Sequence, residues 1–109
     1  MQVLVVDDEA LIVMLVAGWL QDLGCEVETA LNGTDALATL NGKPHVEMLI
    51  TDVNMPGMSG HELAERAMHM RPGLKVVCYR EPRRTRTACL LFGSPSLRDD
   101  LRRTIQSQA

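Results

Sequence analysis

Apolar residues in this chain come in short blocks that switch between two periods. Residues 2–6 form a run of aliphatic side chains ending in Val5-Val6, which predicts a strand buried on both faces. Across residues 10–23, Leu11, Met14, Leu15, Gly18 and Leu20 fall at helical spacings, and Gly24 supplies the stop. Cys25 to Ala30 alternates around Val27 and reads as an edge strand, after which Asn32-Gly33 turns the chain into a helix around residues 34–40. Gly42-Lys43-Pro44 closes that helix, and a third apolar strand occupies residues 46–51. Ser59 is placed to cap the next helix, with Glu62 completing a capping box, and the helix runs to about Met70. Pro72-Gly73 stops it, and Leu74 to Tyr79 reads as a fourth strand.

Beyond Tyr79 the pattern weakens. Residues 80–86 hold four of the chain's eleven basic residues and no apolar period, so they read as a solvated loop. Ala88 to Phe92 suits a short fifth strand, and Ser96 caps a final helix, 97–107, with Leu97, Leu101 and Ile105 in a narrow apolar stripe. Strands alternating with helices argue an α/β sandwich built on a parallel sheet. The 109 residues suffice for a single domain with one core, with five strands and about four helices.

Composition narrows the picture. Only Trp19, Tyr79 and Phe92 are aromatic although 46% of the residues are apolar, so the core has to be aliphatic. A net charge of −3 argues against general affinity for nucleic acid or membrane surfaces. No stretch approaches the roughly 18 uninterrupted apolar residues of a membrane span, and the N-terminus is too acidic and short for a signal peptide. Cys25, Cys78 and Cys89 are odd in number and lack paired spacing, which predicts reduced thiols and a cytoplasmic setting.

The chemistry lies at two strand ends. Asp7-Asp8-Glu9 follows the first apolar run, and Asp52 follows the third, leading into Val53-Asn54-Met55-Pro56-Gly57. Right-handed crossovers bring the carboxyl ends of parallel strands to one sheet edge, so three carboxylates would meet there. Like charges at close range repel, and a hard divalent cation such as Mg²⁺ is their natural counter-ion. The same ion would neutralise an incoming phosphoryl group and let a carboxylate attack it. Each motif alone has a blander reading, Asp7-Asp8 as a helix cap and Asp52 as a turn opener. Their joint occurrence after two apolar strands favours the site.

The segments Val5-Val6-Asp7-Asp8-Glu9-Ala10 and Asp52-Val53-Asn54-Met55-Pro56-Gly57-Met58-Ser59-Gly60 resemble the receiver domain of two-component response regulators. Leu23-Gly24-Cys25-Glu26-Val27 and Asn32-Gly33-Thr34-Asp35-Ala36-Leu37 are similar to the same family. The resemblance implies a flavodoxin-like, doubly wound parallel sheet of five strands in the order 2-1-3-4-5. It implies Asp52 as phosphoacceptor, charged by a histidine kinase or phosphotransfer protein. Asp8, Asp52 and the backbone carbonyl of Asn54 would hold Mg²⁺, with Asp7 acting through a metal-bound water. Such a domain is a switch, not an enzyme. A stand-alone receiver, with no output domain within the chain, would act on an unknown output protein through protein–protein contacts.

Two family features are missing. The family places a Thr or Ser at the end of the fourth strand and a Lys before Pro at the end of the fifth. The hydroxyl position falls at or near Arg80, within Cys78-Tyr79-Arg80-Glu81, and the Lys position is Gly93 or Ser94, before Pro95. An aspartyl phosphate adds about two negative charges to the cluster, and the missing Lys would normally offset part of that. Arg80 is a substitute cation on one reading and a solvated loop residue on the blander one. Tyr79 and Phe92 are each candidates for the switching aromatic or for core filling. These departures motivate an alternative: a degenerate receiver that signals by binding without phosphorylation-driven switching.

Only thirteen residues separate Arg80 from Ser94, which predicts a short or missing fourth helix. A sheet edge left uncovered near the fifth strand would favour an altered or swapped homodimer. The remaining features read plainly: His45, His61 and His69 as surface residues, the basic run as a loop, and Met55 and Met58 as apolar contacts beside the acidic turn. Codons for Val77-Cys78-Tyr79-Arg80 read one base out can spell Phe-Ala-Thr-Gly, the fourth-strand ending of receivers with a short connection here. A local frame slip across residues 77–95 is therefore tested by resequencing the source gene and that of close relatives: one clean frame shared with the relatives excludes it.

Overall fold

The structure, a computed structural model, describes residues 1–79 and 101–106. Along the chain run β1 (Gln2–Val6), α1 (Ala10–Asp22), β2 (Glu26–Ala30), α2 (Gly33–Gly42), β3 (Val46–Asp52), α3 (Gly60–Met70) and β4 (Lys75–Tyr79). Residues 101–106 are helical. Every described strand pair is parallel and the order is β2-β1-β3-β4, so the fold is the expected doubly wound, flavodoxin-like α/β sheet with β2 at its edge. The expected fifth strand at 88–92, the shortened fourth helix and the Ser96 cap lie outside the described residues. So does the sheet edge on which the altered dimer was predicated.

Alternation along the strands sends side chains to two cores. Val3, Val5, Met48 and Ile50 pack against Ile12, Val13, Val16 and Leu20 of α1, with Leu101 and Ile105 closing the same face. Leu4, Val6 and Leu49 pack against Ala36 and Leu40 of α2 and Leu63 and Ala67 of α3. The i, i+4 pair Leu101 and Ile105 thus faces the sheet as its spacing predicts. Glu47 interrupts the alternation: Gln2 pairs with Val46 but Val3 pairs with Met48. The extra residue is a bulge that keeps an exposed glutamate in a buried strand and sends Val46 to the α2–α3 side.

The helix ends follow local chemistry. Asn32 caps α2, its side-chain oxygen accepting from the Asp35 amide at 2.8 Å. Ser59 caps α3 by accepting from the Glu62 amide at 3.2 Å. The capping box is only half as expected, because the Glu62 carboxylate faces Arg66 at 3.8 Å. Gly24 ends α1 with φ at +89°, a conformation that disfavours any side chain. One expectation fails in α1: Leu11 and Met14 are exposed, and the buried stripe is Ile12, Val13, Val16, Ala17 and Leu20. The helix is apolar nearly all round, so two phases fit the sequence. Packing on the sheet takes the one rich in β-branched side chains.

At the edge opposite the strand C-termini, Arg71 ties three elements together. Its guanidinium donates to the Val46 carbonyl at 2.8 Å and to the Leu40 carbonyl, while its own amide caps α3 on Ala67 at 2.8 Å. Arg71→Ala removes both donors and leaves part-buried carbonyls behind. Urea denaturation should show a loss of about 1–3 kcal/mol, with the midpoint lowered and the slope unchanged.

Candidate functional site

The parallel register sets the site. Val5 and Ile50 lie opposite each other, as do Val6 and Thr51, and Ile50 pairs with Val77. Two residues further along that same pleat come Asp7, Asp52 and Tyr79, with Asp52 directly opposite Tyr79. Asp7 and Asp52 are fully buried, and Asp8 is partly so. Carboxylate oxygens of Asp7, Asp8 and Asp52 lie within 4.8 Å of one another. The sequence-predicted cluster therefore exists.

Backbone turns orient two of the three carboxylates. Asp7 Oδ1 accepts from the Glu9 amide at 3.0 Å, and Asp52 Oδ1 accepts from the Asn54 amide at 3.1 Å. Glu9, not Asp7 or Asp8, is the cap residue of α1, and it makes no side-chain cap. The helix-cap reading of the Asp pair is thereby set aside. Met55 is buried, and Met58 packs over Gly33, so both methionines are the apolar contacts expected beside the acidic turn. His45, His61 and His69 are exposed and outside the cluster. Arg80, Gly93, Ser94, Pro95 and Phe92 lie outside the described residues.

Sequence reasoning raised Tyr79 as a switching aromatic or a core filler and missed its bond to the acidic cluster. The Tyr79 ring is buried within the α1-side core, and its hydroxyl donates to Asp7 Oδ2 at 2.6 Å. Tyr79 is both core filler and site residue. The hydroxyl that the structure brings to the site is thus a phenol at residue 79. Counting the pairing from Asp52 to the end of the fourth strand would have found it.

The donor set is all oxygen, suited to a hard cation. Two oxygens on one Mg²⁺ lie at most about 4.2 Å apart, twice the roughly 2.1 Å bond length. Carboxylate oxygens that all lie within 4.8 Å of one another are therefore close to the reach of a single cation. Two ionised carboxylates at 4.8 Å repel by roughly 3–4 kcal/mol at an effective dielectric of about 20. One hydrogen bond to a charged group returns only about 1.5–3 kcal/mol, so a positive counter-charge is the stronger remedy. Among the described residues the thiols of Cys25 and Cys78 are free and lie outside this cluster, and desolvation pushes both above the ordinary thiol range.

Comparison with known proteins agrees with this geometry. Residues 3–89 match the family model of the response regulator receiver domain, and the chain belongs to that family. It is a receiver domain of two-component signalling. Over 77 residues, 71% of this chain, it is 40% identical to the sensor histidine kinase RcsC of Escherichia coli, of which it spans 8%. The chain thus corresponds to a small part of the curated relatives it matches. Chemotaxis protein CheY4 of Vibrio cholerae superposes with a TM-score of 0.77 at 29% identity, over 97% of this chain and 96% of that one. TrrA of Thermotoga maritima, solved with Mg²⁺-BeF, gives 0.70 at 32% identity, over 84% and 78%.

The acidic edge leans on Gly60. A Cβ there would press on the Asp52 carbonyl and come within 2.7 Å of Val53 Cα, and the Gly60 amide donates to the Val53 carbonyl at 3.0 Å. Gly60→Ala should therefore cost about 1–3 kcal/mol and shift the backbone amide resonances of Asp52 to Asn54. Unchanged amides would contradict the close approach.

Proposed function

We propose that this receiver accepts a phosphoryl group on Asp52 from a histidine kinase or phosphotransfer protein, in a Mg²⁺-dependent step. The observation that carries this reading is the carboxylate triad, gathered within 4.8 Å at the sheet edge in a chain of this family. Asp8, Asp52 and the Asn54 carbonyl are the proposed ligands, with Asp7 acting through a metal-bound water. When bound, the cation offsets the negative charge of the triad and of the incoming phosphoryl group. The Asn54 amide on Oδ1 fixes the rotation of the Asp52 carboxylate. A carboxylate oxygen forms the new P–O bond as the donor's P–N bond breaks, and the electron pair leaves with the imidazole nitrogen.

The kinase class of donor is supported by relatives such as RcsC, a sensor histidine kinase. The TrrA complex with Mg²⁺-BeF supports the cation. Output by protein–protein contact, without turnover as an enzyme, completes the reading. A cytoplasmic location follows from that donor class; among the described residues no helix is long and apolar enough to cross a membrane.

A second reading, the degenerate receiver, draws on Gly93 or Ser94 standing where the family has Lys and on Arg80 near its hydroxyl position; the burial of Asp52 accords with it. Incubation with acetyl phosphate or a histidine kinase in Mg²⁺ separates the two. Wild type should gain up to one hydroxylamine-labile phosphate per chain, and Asp52→Asn none. Calorimetry should show Mg²⁺ binding to the wild type. Binding of Mg²⁺ without any phosphate uptake would favour the second reading.

A further inference from the structure

Tyr79 is the chain's single tyrosine, and its hydrogen bond reaches further than its neighbours' do. β4 and β1 are not adjacent, because β3 lies between them. Adjacent strands are roughly 4.8 Å apart, so a side chain from β4 that touches Asp7 beyond the end of β1 has to cross the level of Asp52. The O···O separation of 2.6 Å is in the range of a hydroxyl bonded to an ionised carboxylate. With the Glu9 amide on Oδ1 at 3.0 Å and the phenol on Oδ2, both oxygens of Asp7 are engaged from within the protein.

We propose that Tyr79 sets the cation affinity of the acidic cluster: its hydroxyl holds Asp7 in the cation-free state and is released from it on loading. This rests on the reading of the cluster as a divalent-cation site. The phenol is a neutral donor, so it satisfies Asp7 without reducing the summed charge of the three carboxylates. A cation does both, and Asp7 cannot serve a metal-bound water through Oδ2 with the same geometry that it offers the phenol. Tyr79 is thus a positioning residue that acts through Asp7. Its ring stays anchored in the core cluster that holds Val3, Val5, Ile12 and Ile50, so release comes from rotation of the hydroxyl hydrogen about the Cζ–O bond and a turn of the Asp7 carboxylate.

The test uses Mg²⁺ alone at constant ionic strength, on wild type and Tyr79→Phe. With one tyrosine per chain, the ¹³Cζ resonance of labelled tyrosine reports this hydroxyl without ambiguity. In the wild type it should shift on Mg²⁺ addition with a midpoint at the dissociation constant found by calorimetry. Tyr79→Phe, which keeps the ring and loses the competing donor, should bind Mg²⁺ about tenfold more tightly. A tyrosine resonance that stays put while calorimetry records binding overturns the proposal, and this arm needs no variant to fold. Equal or weaker Mg²⁺ affinity in folded Tyr79→Phe overturns it as well. Absence of calorimetric binding to both chains instead refutes the cation-site reading and removes the inference with it.

Discussion

Parallel pairing in one register is the constraint on which the rest of this structure depends. Because side chains alternate along a strand, a slip of one residue between β1 and β3 would send Asp7 and Asp52 to opposite faces. The register is held by two cores at once, with Val3 and Val5 locked against α1 and Leu4 and Val6 against α2 and α3. A slip would reverse both. Apolar burial on the two faces thus fixes where charge collects at the edge.

The edge gathers like charge. Asp7 and Asp52 are removed from water and set near each other and near Asp8, and two amides and a phenol are among the groups that donate to them. Neutral donors orient carboxylates but leave their mutual repulsion in place. Such an arrangement responds strongly to whatever positive charge arrives, which is the physical basis of the proposed phosphoryl chemistry. Tyr79 adds a second property, since it couples the core beside β4 to the carboxylate that follows β1, two strands away.

Much of this was legible in the sequence because strand ends carry their chemistry next to their apolar runs. Val3 to Val6 leading into Asp7, and Met48 to Thr51 leading into Asp52, locate the triad without any tertiary knowledge, and the Asn32 and Ser59 caps are equally local. What escaped depends on choices made between elements. The phase of α1 could not be read from a helix apolar on nearly every side, and only the sheet selects Ile12, Val13 and Val16 over Leu11 and Met14. Tyr79 escaped because a tyrosine has an apolar body and a polar tip, and a choice between core and site is not forced on it. Arg71 escaped because its partners are backbone carbonyls, which leave no mark in a sequence.

The Arg71 staple gives the two ends of the sheet different dependence on the solvent. At its end, cohesion comes from a guanidinium bonded to neutral carbonyls of β3 and α2, a bond set made wholly within the protein. At the other end, three like charges make local order a function of what the solution supplies. One end therefore anchors the layers while the other is left to vary with its ligands. A sheet fastened in this way can loosen at its acidic edge without coming apart, because the elements that must stay together are joined where the ions are not.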